Sequence, residues 1–253
     1  MIFLRFRFQD EAQYGIVDRH HVTPISSDPF SDFEEADEPI PLSQVQILAP
    51  VLPNKIVAVG VNYKAHALEM GHEIPSEPVL FLKPASSVIG LSDSIRYPRM
   101  ASRVDYEAEL AFVIKKKAKN VSLETAPDYI LGYTCLNDVT ARDLQKKDIQ
   151  WTRAKGFDTF SPLGPWIVQD LDVSDLPVEC YLNGELKQKG RTKDMIFSVP
   201  YLLSYISRIM TLEAGDVITT GTPPGIGPMR PGDLVDVRIE GIGILRNTVE
   251  AEA

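Results

Sequence analysis

The sequence predicts a mixed β sheet or barrel with some helix, preceded by a small N-terminal β segment. Three observations point there. Short β-like runs recur along most of the chain, helical spacing appears in only a few places, and regular βαβ alternation is absent. The last of these disfavours a doubly wound fold.

The elements follow in order. Residues 1–8 alternate, with Ile2, Leu4, Phe6 and Phe8 on one face and Arg5 and Arg7 on the other, as in a half-buried strand. Gln13 to Val17 fits a hairpin partner. From Ser26 to Pro41 the chain is rich in Asp, Glu, Pro and Ser and reads as an exposed loop or linker. This places the N-terminal segment at residues 1–50 and the main domain at 51–253. There the β-like runs are Ile56–Val61, Val79–Leu82, Tyr106–Ile114, Trp166–Val168, Val178–Leu182, Asp216–Thr220 and Leu234–Ile239. Asn183-Gly184 is a type I′ hairpin signal, since both central residues of that turn need positive φ. Helices are expected at Thr140–Lys147 and at Ser198–Met210, the latter with Ser198 as N-cap.

Composition narrows the function classes. The chain has 253 residues, 44% hydrophobic and 24% charged, enough for one substantial core. A net charge of −9 argues against nucleic acid as a partner, because phosphate backbones need a basic footprint. Cys135 and Cys180 lie far apart without C-x-x-C spacing, which fits a reducing cytoplasm better than a disulfide framework. The N-terminus is too short and arginine-interrupted for a signal peptide, and no apolar run approaches a membrane span.

The most informative segment is Val104-Asp105-Tyr106-Glu107-Ala108-Glu109, running into Leu110-Ala111-Phe112-Val113-Ile114. On a strand, Glu107 and Glu109 share a face at roughly 6–7 Å. A solvent-facing polar edge is the plain alternative, but the apolar continuation belongs in a core and the strand offers no adjacent lysine or arginine until Lys115. Two carboxylates entering a core repel unless a cation or proton sits between them. A hard divalent ion suits such oxygens, and Asp138, at an expected strand end, offers a third.

Four ordered segments together resemble the fumarylacetoacetate hydrolase superfamily. They are Tyr106–Leu110, Asn137–Gln145, Ala154–Asp158 and Thr220–Gly227, and the likeness covers roughly residues 54–250. The resemblance implies a β-roll, usually dimeric, with Mg²⁺ or Mn²⁺ (Ca²⁺ as a substitute in crystals) on Glu107, Glu109 and Asp138. It further implies an active-site lysine at Lys155, substrate contacts at Arg142 and Gln145, and a glycine-threonine-proline loop with Thr222 near the substrate carboxylate. Gly60–Met70 and Ser76–Pro84 resemble the acylpyruvase and oxaloacetate decarboxylase branch, where a histidine and a glutamate three residues on lie on a segment that closes over substrate. His66 and Glu69 have that spacing, which puts them on one helix face. Residues 1–50 depart from the shortest members and carry no catalytic assignment.

The expected function is therefore metal-dependent C–C hydrolysis of acylpyruvates or related diketo acids, with His66 and Glu69 as a water-activating dyad and Lys155 stabilising substrate oxyanions. Rival readings are oxaloacetate decarboxylation, a 2-hydroxyhepta-2,4-diene-1,7-dioate type isomerase or decarboxylase, a 2-oxo-4-pentenoate type hydratase, and a catalytically silent small-molecule binding module. The bland alternatives are a surface role for His66, a solvated Lys155 and a structural Arg142–Asp158 pair. Gly221, Gly225 and Gly227 read as turn geometry, and His20, His21 and His72 as surface residues.

Overall fold

A period of two, rather than 3.6, shapes most of the chain, and strands form wherever it runs. The computed structural model describes residues 1–71 and 73–252, so His72 lies outside the described residues. Strands dominate and fall into three sheets. The α-helices among the described residues are α1 (Lys64–Glu69), α2 (Arg142–Lys147), α3 (Thr152–Lys155) and α4 (Val199–Ile209).

The largest sheet has twelve strands. Its main path runs Ile40–Pro41, His21–Pro24, Glu11–Asp18, Ile2–Phe8, Ser161–Val168, Ile130–Asn137, Ala108–Ile114, Val217–Thr219, Lys55–Gly60 and Val79–Pro84. That path has two free ends, so the sheet is not a closed barrel. A five-stranded sheet, Glu185–Arg191, Pro177–Leu182, Leu234–Ile239, Gly243–Ala251 and Ser94–Tyr97, shares its core with the large one. Three short strands, Thr140–Ala141, Val104–Tyr106 and Gly227–Met229, make the third sheet.

Ala108–Ile114 is buried along its whole length and sits between two cores. Leu110, Phe112 and Ile114 join Val178, Val237 and Leu245 in the main cluster. Ala111 and Val113, on the other face, join Phe3, Ile56 and Leu136. The N-terminal segment is stitched into the same sheet, because Ile2 and Phe3 pair with Val168 and Ile167. Leu4 and Phe6 fill a cluster of their own with Val22, and Ile2 and Phe8 pack against it, the face read from the alternation. Phe3 points the other way and meets Phe33 edge-on at 5.9 Å.

Several elements differ from the expectation. Thr140–Ala141 is a strand, not the first turn of a helix, because Val104 and Asp105 offer it a ladder. The helix begins only at Arg142. Ser198 occupies the N-cap of α4 with extended backbone, but its hydroxyl makes no capping bond. At Asn183-Gly184 both φ angles are positive, 52° and 81°, as a type I′ turn requires. Gly227 serves close approach instead of a turn: a Cβ there would lie 2.6 Å from the Tyr106 hydroxyl. The strand Gly243–Ala251 escaped the sequence reading, since Arg246, Asn247 and Glu250 break its apolar run.

Phe112 is fully buried in the central strand. Phe112→Ala is expected to lower unfolding free energy by about 3–5 kcal/mol in urea titrations, by lost transfer energy plus a cavity. Leu52→Ala, at a side chain 68% exposed, is expected to change it by less than about 0.5 kcal/mol.

Candidate metal centre and active site

Glu107 stands where the chain leaves one sheet for another, between the strands Val104–Tyr106 and Ala108–Ile114. The expected single strand from Tyr106 to Ile114 is thus broken at the carboxylate itself. A break strands backbone donors, and buried N–H groups need partners. Glu107 N donates to Asn137 Oδ1 at 2.9 Å, and Ala108 N donates to Gln188 Oε1 at 2.9 Å. Asp138 follows the strand registered by the Ala108↔Asn137 pair, and its N–H donates to Glu107 O at 2.8 Å. Register therefore delivers Asp138 to the Glu107–Glu109 pair. One oxygen from each of the three buried carboxylates lies within 4.8 Å of the others.

The cations come from elsewhere in the chain. Lys155, at the end of α3, donates to Glu107 Oε2 at 2.8 Å and to Asp138 Oδ2 at 2.6 Å. Lys83, wholly buried, donates to Asp138 Oδ1 at 2.6 Å. Arg142 donates to Asp105 at 2.9 Å, to Gln145 Oε1 at 2.6 Å, and to Glu107 Oε1. Glu107, expected from the sequence to lack a neutralising cation, has two, and both are distant in sequence. Among the described residues Glu109 makes no ion pair, and it accepts the Gly221 N–H at 2.8 Å.

The electrostatics separate the two glutamates. Burial opposes ionisation of Glu107, but Lys155 and Arg142 outweigh it and hold the carboxyl well below its ordinary range. Burial, then the charges of Asp138 and Glu107, push Glu109 well above its ordinary value. Glu109 thus calls for a proton or a cation. An all-oxygen, carboxylate-rich set with one such member fits a hard divalent ion.

These groups line a cavity of about 280 Å³. Eight of the nine residues proposed from sequence line it: His66, Glu107, Glu109, Asp138, Arg142, Gln145, Lys155 and Thr222. Glu69 stands behind His66, accepting from Nδ1 at 3.0 Å, and also accepts the Gly225 N–H at 2.9 Å. Thr222 uses its hydroxyl proton on Ala108 O at 2.8 Å, so the side chain holds its loop to the broken strand. Val61 lines the cavity with φ 57°, a left-handed conformation unusual for a β-branched residue.

The sequence reading missed Lys83, Asp105, Gln188 and Asn62. Asn62 is buried and ties Thr220 O, at 2.8 Å, to the Phe197 backbone, bracing the start of α1 against the 220 loop. A lysine inside the apolar run Leu80-Phe81-Leu82-Lys83 was the available signal for one of them. Phe81 and Trp151, edge-on at 5.3 Å, form an aromatic wall. Asp158 lies at a different surface cavity, beside Arg96, and makes no bond to Arg142. His20 and His21 are exposed.

A family model described as the C-terminal domain of fumarylacetoacetate (FAA) hydrolase matches residues 55–250, and one described as Rv2993c-like, N-terminal, matches residues 1–50. The chain is 48% identical to a mitochondrial oxaloacetate decarboxylase of Dictyostelium discoideum, over 74% of this chain and 89% of that one. It is 45% identical to a mitochondrial oxaloacetate tautomerase of Xenopus laevis, over 82% and 69%. A 5-carboxymethyl-2-hydroxymuconate delta-isomerase structure from Mycobacterium smegmatis superposes with TM-score 0.94 at 43% identity, covering both chains fully. A maleylpyruvate hydrolase structure from Sphingobium, in complex with manganese(II) and pyruvate, gives TM-score 0.83 at 30% identity, again over both full chains.

The raised Glu109 pKa has a stability consequence. A carboxyl whose folded pKa is raised favours folding while protonated, and that contribution is lost as pH climbs from about 4.3 through the folded value. Glu109→Gln is expected to raise the melting temperature of the EDTA-treated protein more at pH 8 than at pH 5. The same variant is expected to bind Mn²⁺ at least about tenfold more weakly by calorimetry. Equal melting shifts at both pH values would contradict the assignment.

Proposed function

The chain belongs to the fumarylacetoacetate hydrolase family, and from that premise we propose that it hydrolyses a C–C bond of acylpyruvates, with Mg²⁺ or Mn²⁺ held by Glu107, Glu109 and Asp138. The observation that carries this reading is the His66–Glu69 pair set over the carboxylate cavity, with one ring nitrogen of His66 committed to Glu69. When bound, the cation supplies Lewis acidity toward the oxygens of a 2-oxo acid.

The remaining work falls to side chains of this protein. Glu69 accepts from Nδ1–H and so leaves Nε2 of His66 as the base. Nε2 takes a proton from water as the water oxygen bonds to the distal carbonyl carbon. Collapse of that adduct breaks the C–C bond, releasing a carboxylic acid and the pyruvate enolate, whose carbon takes back the proton held on Nε2 of His66. Lys155, fixed by two carboxylates with a third ammonium hydrogen to spare, stabilises negative charge building on substrate oxygen. Arg142 and Gln145 orient the 2-oxo acid end, and the Phe81–Trp151 wall limits water.

A second reading, enolisation or decarboxylation of oxaloacetate, is supported by the two relatives named for those reactions. Both need the same enolate stabilisation, and the water-activating dyad separates them. The proposed setting is the cytoplasm and the proposed assembly a homodimer. No helix among the described residues is long and apolar enough to cross a membrane, and both cysteines are free and buried.

The ultraviolet absorbance of acetylpyruvate and fumarylpyruvate is expected to fall with Mg²⁺ present and to stay constant in EDTA. Glu69→Gln is expected to lower kcat for hydrolysis by about 10²–10⁴-fold while Mn²⁺ binding is retained. Full activity in that variant, or rapid loss of oxaloacetate alone by the wild type, moves the assignment to the second reading.

A further inference from the structure

Four cations stand in or against the cavity, and three of them are committed. Lys83 is wholly buried on Asp138, Lys155 bridges Glu107 and Asp138, and Arg142 is spread over Asp105, Glu107 and Gln145. The fourth is Lys146, in the last turn of α2 and directly after Gln145. It is exposed, yet it lines the same cavity, which places it at the rim above a buried floor. It makes no side-chain hydrogen bond or ion pair to any other described residue. The same cavity is also lined by apolar side chains, Val61, Met70 and Trp151 among them.

We propose that Lys146 receives the distal carboxylate of the substrate, so that the enzyme prefers dicarboxylic over monocarboxylic 2-oxo acids. The inference rests on the reading that the buried cluster takes the 2-oxo acid end. With that end held against Arg142 and Lys155, only the opposite end of a short chain reaches the rim. A carboxylate arriving there gives up part of its water, and the apolar side chains of the lining offer it no compensating hydrogen bond. Lys146 supplies the charge-assisted donor that replaces the water. General attraction cannot do this, because the protein carries a net charge of −9 and repels anions at long range. The local cation therefore decides which anion is accepted, and it acts on binding rather than on the reacting bond. Lysine suits the position, since a flexible stem with a point charge tolerates distal carboxylates at different depths.

The test compares fumarylpyruvate, which carries a distal carboxylate, with acetylpyruvate, which lacks one, in the full-length protein with Mg²⁺. The wild type is expected to favour fumarylpyruvate in kcat/KM. Lys146→Met is expected to lose about five- to tenfold of that preference, the size of one partly exposed charge-assisted hydrogen bond, with the loss carried by KM. Lys146→Arg is expected to retain most of it. Added salt should erode the preference of the wild type and leave that of Lys146→Met nearly constant. An unchanged ratio in Lys146→Met, or a wild type indifferent to the distal carboxylate, overturns the role of Lys146 while leaving the hydrolase reading intact. No turnover of either acid by the wild type overturns the hydrolase reading, and the Lys146 inference with it.

Discussion

Carboxylates share a dry cavity only when positive charge shares it with them. Every unusual feature of the site answers that constraint. Glu107 and Asp138 are answered by Lys155, Lys83 and Arg142, each delivered by a different element. Asp105 lies behind them and is itself paired to Arg103 and Arg142, so the compensation extends beyond the cavity wall. Glu109 makes no ion pair among the described residues. The divalent ion proposed for this site would supply the positive charge that Glu109 lacks.

The backbone enforces this arrangement through one irregularity. At Glu107 the chain changes sheets, and the two buried N–H groups left without ladder partners are caught by Asn137 and Gln188. Gln188 also donates to Thr222 Oγ1 and Pro223 O, both at 2.8 Å. The broken strand, the five-stranded sheet and the 220 loop are thereby locked to one another through a single amide. A buried polar network of this kind is costly when half satisfied and rigid when complete. The cavity is built on such a network and not on flexible loops, which keeps the carboxylates in place before any ligand arrives.

Much of this was legible in the sequence, and the rest was hidden for identifiable reasons. Alternation at residues 1–8 and the Asn183-Gly184 turn are local signals, and the structure follows them. The acidic cluster was legible because Glu107 and Glu109 are close in sequence and Asp138 sits at a strand end. The cations that hold those acids were not, because Lys83 lies 55 residues from Asp138 and Lys155 lies 48 from Glu107. Those pairings depend on register between distant strands, which one sequence does not encode locally. Thr140–Ala141 failed for the same reason: a ladder to Val104–Asp105 overrides the local helical pattern.

The stitching of Ile2–Phe8 onto Ser161–Val168 bears on how such a chain can gain or lose its first fifty residues. The segment has a small apolar cluster of its own, and it also terminates the twelve-stranded sheet on one side. A version of the protein without it would leave Ile167 and Val168, the end of Ser161–Val168 that pairs with Phe3 and Ile2, as an unprotected margin open to strands from other molecules. The leading segment is in that sense a hem. A chain without it would have to finish the same border by other means, with charge, with proline, or with a neighbouring subunit.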